Sequence, residues 1–166
     1  MVNNLIEQIV AALRENVSKE LIIVLISMLP IIELRGALLV AGPLLNIPML
    51  KAAPLCILGN LIPIPFILWL ITPIFKWLKE KTKLKNLVEK LEARAMKRSG
   101  QIEKYEFWGL VIFVGIPLPG TGGWTGALIA SMLGIPFKKA FPAIILGVLI
   151  AAVIMCVISY GLLGLF

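Results

Sequence analysis

Apolar residues form four long runs along the chain, and two of these runs are interrupted near their middle. Residues 52–75 and 137–163 exceed the ~20 apolar residues that a helix needs to cross a bilayer core of about 30 Å. Residues 21–45 are interrupted by Pro30, Glu33 and Arg35, and residues 107–133 by several prolines and glycines. The pattern predicts an all-α polytopic membrane protein in which broken and continuous apolar helices alternate.

The interruptions fall where a helix entering the membrane would reach its midplane. At ~1.5 Å per residue, a helix from residue 21 to Pro30 is roughly 15 Å long, and one from residue 107 to Pro117 is roughly 16 Å long. Non-helical backbone at that depth must be surrounded by protein or must line a wet cavity, since each bare peptide group costs several kcal/mol in hydrocarbon. We therefore expect residues 21–45 and 107–133 to be re-entrant helical hairpins.

An internal repeat divides the chain into two similar halves. Residues 47–59 and 135–147 share Ile, Pro, Lys, Ala, Pro, Ile, Leu and Gly at a constant offset. Repeat 1 is residues 20–75 and repeat 2 is residues 107–166, each a broken segment followed by a crossing helix. If the broken segments re-enter, the two repeats are inverted; if they cross, the chain has four spans and parallel repeats. The distribution of Lys and Arg fits both topologies equally well.

Two polar segments lie outside the repeats. Residues 1–19 have apolar positions at helical spacing, which predicts an amphipathic helix at the membrane interface or packed on a neighbouring helix. Residues 76–106 carry ten Lys/Arg and five Glu, so the positive-inside rule makes them a basic cytoplasmic helix, with Gly100 as its stop. Its basic stripe of Lys90, Arg94 and Arg98 is expected to meet lipid headgroups, or to be simply solvated.

Composition excludes several classes of protein. Of the 166 residues, 60% are hydrophobic and 15% are charged, which is unlike a water-soluble domain. Aspartate and histidine are absent, which excludes metal sites built on histidine and Ser/His/Asp catalysis, and we expect neither an enzyme nor a cofactor. The net charge of +7 is better matched to lipid headgroups than to nucleic acid. Cys56 and Cys156 are expected to be buried and reduced.

Glu33 and Arg35 are the only charged residues in the two broken segments. An ionised side chain at mid-membrane costs ~2.5–3.5 kcal/mol on insertion scales, so each needs a partner or water. We interpret Glu33 as a group that binds a proton or a cation, and Arg35 as an anchor for an anionic substrate, since its fork donates in pairs. The alternative is a structural ion pair or a cap on the broken helix.

The second broken segment has a run of residues that favours irregular backbone. Its prolines remove amide donors and its glycines permit positive φ, so free amides and hydroxyls would line a pathway or bind an anion. The candidates are Pro117, Pro119, Gly120, Thr121, Gly122, Gly123, Trp124 and Thr125. Close packing of helices is the alternative explanation for the small residues.

Four further polar residues lie in the apolar runs. Asn60 either lines the same cavity or hydrogen-bonds a neighbouring helix. Ser27, Thr72 and Ser159 are expected to bond carbonyls of their own helices and to need no function.

Residues 27–37, the Gly59-Asn60 pair followed by Pro63 and Pro65, and residues 117–127 resemble the small multi-drug export protein family. That family is similar to the DedA superfamily, which implies two facing re-entrant loops and proton-linked transport or flipping of undecaprenyl phosphate or other lipids. DedA-type proteins carry arginines in the second loop, whereas this chain has none there. Arg35 would then act from the first loop.

These observations leave two hypotheses. In the first, the chain is a multi-pass transporter of the cell membrane that moves a lipid phosphate or an amphiphilic small molecule. Its partners would be membrane lipids and, because it has few spans, a second copy in a homodimer. In the second, the chain is a non-transporting scaffold that binds partners or anionic lipid through residues 76–106.

Overall fold

The computed structural model describes residues 18–81, 85–97, 99–118 and 120–162, and this part of the chain is helical, without strands. The predicted helix at residues 1–19 lies outside it, except for its last two residues. The helices are α1 Lys19–Met28, α2 Glu33–Ala41, α3 Met49–Leu61, α4 Ile64–Lys81, α5 Lys85–Met96, α6 Gly100–Tyr105, α7 Phe107–Gly115, α8 Gly123–Met132 and α9 Phe137–Cys156, followed by a π-helical turn at Val157–Leu162.

The first broken segment consists of α1 and α2. Ser18 caps α1, because its hydroxyl accepts a hydrogen bond from the Leu21 amide at 3.3 Å. Leu29 then turns to extended backbone, with φ −74° and ψ 134°, as a residue before proline does. Four residues later α2 begins at Glu33. The expected interruption at Pro30 is therefore present.

The second broken segment, α7 and α8, stops for the same reason. Ile116 precedes Pro117 and is extended, with φ −80° and ψ 119°, so α7 ends at Gly115. The chain resumes helix at Gly123, two residues before the start expected near Thr125. Both broken segments thus contain two helices of nine or ten residues, each too short to cross a bilayer alone.

The two ends of each broken segment lie close together. Lys19, at the start of α1, donates a hydrogen bond to the Leu45 carbonyl just beyond α2, at 3.1 Å. Glu106, directly before α7, accepts one from Lys139 in the first turn of α9, at 3.0 Å. The start of each segment therefore lies beside the stretch of chain that follows it.

Two helical stretches are long and apolar enough to cross a membrane: Met49–Glu80, with 32 residues, and Phe137–Gly161, with 25. The first contains α3 and α4, joined by a turn at Ile62 and Pro63 that the sequence did not predict. The two stretches run in opposite directions. Tyr160, beyond α9, donates to the Ile47 carbonyl before α3 at 2.8 Å, while the rings of Trp69 in α4 and Phe137 lie 4.9 Å apart.

The sequence repeat corresponds to equivalent local structure. Pro48 caps α3 with φ −63° and ψ 144°, and Pro136 caps α9 with φ −63° and ψ 143°. Two residues earlier, Asn46 and Gly134 both have positive φ, of 51° and 68°. Each half therefore turns from its broken segment into its long helix in the same way.

The long helices present large apolar side chains outward, while the broken segments are packed between them. Phe66, Trp69, Val153 and Val157 are more than half exposed, which suits a lipid environment. The inner contacts are close: a Cβ on Gly147 of α9 would come within 2.7 Å of Val114 in α7. Small residues here allow helices to approach, as the packing alternative predicted.

Two expectations about individual polar residues are wrong. Gly100 does not end the basic helix; α5 ends at Met96, where the Ser99 hydroxyl bonds the Met96 carbonyl, and Gly100 begins α6. The hydroxyls of Ser27, Thr72 and Ser159 bond neighbouring helices rather than their own, because the close packing brings other acceptors within reach. Ser27 donates to the Cys56 carbonyl, Ser159 donates to the Leu38 carbonyl at 2.7 Å, and Thr72 pairs with Ser131 at 2.7 Å.

Candidate functional site

The breaks of the two segments face each other in the middle of the molecule. Arg35, in the first turn of α2, reaches across to the irregular stretch that follows α7. Its Nη2 donates to the Thr121 hydroxyl at 3.1 Å and to the carbonyls of Ile116 and Val114 at 3.3 and 3.4 Å, and its Nη1 donates to the Leu118 carbonyl. The carbonyls at a helix C-terminus carry partial negative charge, so the guanidinium caps the end of α7.

Glu33 makes the complementary contact with the start of α8. Its Oε1 accepts a hydrogen bond from the Trp124 amide at 3.2 Å, and the Gly123 amide also donates to this carboxylate. A helix N-terminus carries partial positive charge and unpaired amides, so a carboxylate is favoured there. The two charges of the first segment therefore cap the two broken helices of the second, and no direct ion pair joins them among the described contacts.

The backbone at this contact adopts conformations that most residues avoid. Glu33 itself has φ 51°, in the left-handed region, which costs an ordinary residue roughly 1–2 kcal/mol. Gly122 has φ 146°, and a Cβ there would overlap the Glu33 carboxylate. Position 122 therefore requires glycine for two reasons: its positive φ, and the close approach of the Glu33 carboxylate.

Trp124 and Asn60 connect the site to the first half of the chain. The Trp124 indole donates to the Met28 carbonyl at 3.1 Å and so satisfies the C-terminal end of α1. Asn60, only 1% exposed, donates through Nδ2 to the Ser27 carbonyl at 3.4 Å, and its Oδ1 faces Gly123. Asn60 therefore bonds a neighbouring helix, which is one of the two alternatives that the sequence left open.

A cavity of about 490 Å³ opens beside these contacts. Its lining includes both charged residues of the site together with hydroxyls and irregular backbone of the second segment: Glu33, Arg35, Pro117, Gly120, Thr121 and Thr125. Arg35 and Glu33 are the charged side chains in the described lining. Glu33 is 7% exposed, so the carboxylate lies at the buried end of the cavity.

The structure brings most of the predicted site residues together. Gly122, Gly123 and Trp124 form the contact with Glu33, and the other described candidates of the second segment line the cavity; Pro119 lies outside the described residues. The basic stripe does not belong to the cavity lining: Lys90 is exposed on α5, Arg94 lies on the same helix, and Arg98 is outside the described part. An ion pair between Lys79 and Glu92 holds α5 against α4.

Sequence reasoning missed the acceptors that hold Arg35. They are the main-chain carbonyls of Val114, Ile116 and Leu118, and a carbonyl leaves no mark on the residue type. The available signal was positional, because Pro117 frees the carbonyls of the preceding turn from helical bonding. Met155 of α9, another wall of the cavity, gave no signal because it lies in an ordinary apolar helix.

Within the described ranges, no group of three His, Cys, Asp or Glu side chains lies close enough to hold a metal ion. The candidate site consists of one carboxylate, one guanidinium, two hydroxyls and two helix ends. Such a set can bind an anion at the guanidinium and hydroxyls, or hold a proton at the carboxylate.

Comparison with known proteins gives one family. A family model described as "Putative small multi-drug export protein" matches residues 33–154, well over half of the chain. The match begins at Glu33 and includes the charged residues, hydroxyls and irregular backbone of the cavity wall: Glu33, Arg35, Pro117, Gly120, Thr121 and Thr125. No curated protein and no solved structure matches significantly.

Proposed function

Because the chain belongs to the small multi-drug export protein family, we propose that it is a multi-pass transporter of the cell membrane whose pathway runs between the breaks of its two helical segments. The observation that carries this proposal is the 490 Å³ cavity in which Glu33 and Arg35 meet the ends of α7 and α8. Interrupted helices that present free termini at mid-membrane are typical of substrate and ion sites in transporters.

The proposed topology is two inverted repeats, each a re-entrant hairpin and a crossing helix. Three observations support it: the ends of each segment meet through Lys19 and Leu45 or Glu106 and Lys139, the helices of each segment are too short to cross, and the long helices are antiparallel. The repeats then approach from opposite sides, and their breaks meet near the midplane.

The proposed substrate is an amphiphile with an anionic headgroup, and a lipid phosphate fits this description. Arg35 is suited to phosphate because its planar fork donates two parallel hydrogen bonds, and Thr121 and Thr125 offer hydroxyls on the same wall. The guanidinium can only donate hydrogen bonds, and its Nη1 and Nη2 already donate to the carbonyls of Leu118 and Ile116. Phosphate oxygens that accept from these nitrogens compete with the two carbonyls. Binding would therefore loosen the contact between Arg35 and α7.

An apolar groove of about 900 Å³ provides a place for the hydrocarbon part of such a substrate. The groove lies between α3 and α9, with Pro54, Ile57 and Val153 among its walls. On α9, Met155 lines the cavity and Cys156 lines the groove, so the same turn of this helix contributes to both. A polar cavity beside an apolar groove favours a lipid over a compact hydrophilic solute.

Proton coupling is proposed to act through Glu33. Glu33 is the carboxylate that lines the cavity, it accepts the amides at the start of α8, and Arg35 is the charged neighbour within the described lining. Protonation removes the negative charge that these positive groups stabilise, and so weakens the contact between the two segments. Proton binding and opening of the cavity would thus be linked.

The test is transport by the purified chain in liposomes. A fluorescent lipid phosphate, a zwitterionic lipid and a cationic amphiphilic dye are compared under an imposed pH gradient. We expect movement of the lipid phosphate, and at least a tenfold slower rate in Arg35→Gln. Glu33→Gln is expected to remove the response to the gradient.

Lys51→Gln is the matched control, because it removes an exposed positive charge outside the cavity. It should transport like the native chain. If only the dye is transported, the substrate is a small amphiphile and not a lipid phosphate. No transport of any probe by a folded chain would overturn the transporter proposal and favour the scaffold alternative, for which residues 76–106 would be the binding surface.

A homodimer is proposed as the working unit, and cross-linking in the same liposomes tests it.

A further inference from the structure

A small void lies beside the main cavity, where α2, α3, α7, α8 and α9 meet. Its volume is about 10 Å³, and its lining includes Glu33, Asn60, Gly122 and Gly123 with the apolar side chains of Val114 and Val148. A void needs roughly 10–15 Å³ of this kind to hold a single water molecule. Its polar walls distinguish it from the dry cavities that apolar side chains enclose.

Asn60 has a buried acceptor that the described residues leave unpaired. Its Oδ1 receives no hydrogen bond from them, although Asn60 is 99% buried and its Nδ2 is engaged by the Ser27 carbonyl. A buried polar group without a partner costs about 1–3 kcal/mol, so native structures rarely leave one. The same Oδ1 would lie 2.7 Å from a Cβ placed on Gly123, which locates it on the wall of the void.

Glu33, which lines the same void, also presents acceptors. An ionised Glu33 carboxylate can only accept, and so can the Oδ1 of an amide, so the two groups need a donor between them. The described hydrogen bonds of Arg35 go to carbonyls and to Thr121 on the far side of the site. A water molecule has two O–H donors and satisfies both groups at once.

A monovalent cation is a poorer occupant for electrostatic reasons. The amides of Gly123 and Trp124 at the start of α8 point to the same carboxylate, and Arg35 also lines the void. A cation would face this positive helix end and the guanidinium with one carboxylate to offset them.

We propose that the void is a binding site for one structural water that links Asn60 Oδ1 to the Glu33 carboxylate. Asn60 is thereby a positioning residue for Glu33. When Glu33 takes up a proton, its O–H donates to the water, which still donates to Asn60, so the carboxyl group keeps a partner in both protonation states. This site stands whether or not the chain transports a lipid.

Radiolytic hydroxyl-radical labelling of the full chain in lipid nanodiscs tests the proposal. A bound water generates radicals beside it, so buried side chains that line the void become oxidised. We expect labelling of Leu34, Val114 and Val148 to be several-fold above that of Leu38, which is equally buried but does not line the void. The variant Asn60→Leu keeps a similar shape without the acceptor, and should reduce this labelling to the Leu38 level.

Two further variants separate the water from general packing. Gly123→Ala fills the void and should also abolish the labelling while retaining Asn60. Ser27→Ala removes a neighbouring buried hydrogen bond without touching the void, and should leave the labelling unchanged. Thermal unfolding of each variant verifies that it is folded.

Three results would overturn the proposal. One is background labelling in the native chain, which needs no variant to fold. Another is undiminished labelling in folded Asn60→Leu. The third is labelling that falls when sodium replaces choline in the buffer, which would assign the void to a cation.

Discussion

At the scale of the residue, two side chains determine how the halves of the molecule meet. Glu33 and Arg35 are two positions apart and point to opposite ends of the second segment's helices, one at an N-terminus and the other at a C-terminus. The positive φ of Glu33 opposes this arrangement, whereas charge-assisted hydrogen bonds of about 1.5–3 kcal/mol each favour it. These contacts are those of caps on broken helices, one of the two interpretations of the sequence, while the binding of a proton or an anion by this pair stays a proposal.

Substitution of Gly122 tests how closely Glu33 approaches the second segment. Gly122→Ala forces a side chain onto φ 146° and into the Glu33 carboxylate, and we expect a loss of about 1–3 kcal/mol in the free energy of unfolding. Reversible unfolding in detergent micelles measures it. Lipid phosphate transport should fall with it.

Two glycines provide matched controls for Gly122. Gly134→Ala imposes a similar backbone penalty, with φ 68°, but no described atom lies within 4 Å of the new methyl group. Gly100→Ala imposes neither cost and should be neutral. If Gly122→Ala is no more destabilising than Gly134→Ala, the close contact with Glu33 is wrong.

At the scale of the element, proline placement made the broken helices predictable. The extended residues Leu29 and Ile116 stand before Pro30 and Pro117, and both helices end two residues before the proline at which they were expected to stop. The turn at Ile62 and Pro63 was missed, since the apolar run continues through it without a polar residue. The sequence could not predict the contacts between helices, because Arg35 is held by main-chain carbonyls and every residue type has one.

Replacement of Pro117 tests whether the interruption itself is required. Pro117→Ala restores an amide and frees Ile116 for helical backbone, so α7 can extend and draw the Leu118 carbonyl into its own ladder. We expect unchanged or higher helicity by circular dichroism, together with loss of lipid phosphate transport. Pro73→Ala, inside α4 and away from the cavity and the groove, is the control and should not reduce transport.

Neutralisation of the basic helix separates transport from scaffolding. The triple variant Lys90→Gln, Arg94→Gln and Arg98→Gln removes roughly 1 kcal/mol of attraction to anionic lipid per charge. Binding of the purified chain to anionic nanodiscs should weaken. The transport rate should stay within about twofold of that of the native chain. Abolished transport in a folded triple variant would contradict the separation and support the scaffold alternative.

At the scale of the whole molecule, the repeat was the most informative part of the sequence. It predicted two equivalent turns into two long helices, and the paired backbone of Pro48 and Pro136 agrees with this. Charge counts fitted both topologies because the change from four spans to hairpins moves Arg14 and Lys19 outside and Lys138 and Lys139 inside, which leaves the totals equal. The antiparallel long helices and the close ends of each broken segment favour inversion, which only three-dimensional contacts could indicate.

Cysteine labelling from each side of the membrane tests this topology. In a Cys56→Ala, Cys156→Ala background, Asn46→Cys and Gly134→Cys are both at exposed turns before a long helix. We expect a membrane-impermeant maleimide to label position 46 from outside and position 134 from the cytoplasm, with Lys90→Cys as the cytoplasmic reference. Labelling of both positions from outside would establish four spans and exclude inverted repeats.

The use of main-chain carbonyls by Arg35 has a consequence for how such a protein can diversify. Replacing Ile116 or Leu118, whose side chains are exposed, leaves their carbonyls in place, so a mutational scan should tolerate many residues there and very few at position 35. Natural variation can remodel the walls around a constant anchor. The same fold could then change its substrate while it keeps the Arg35 contacts that join its two halves.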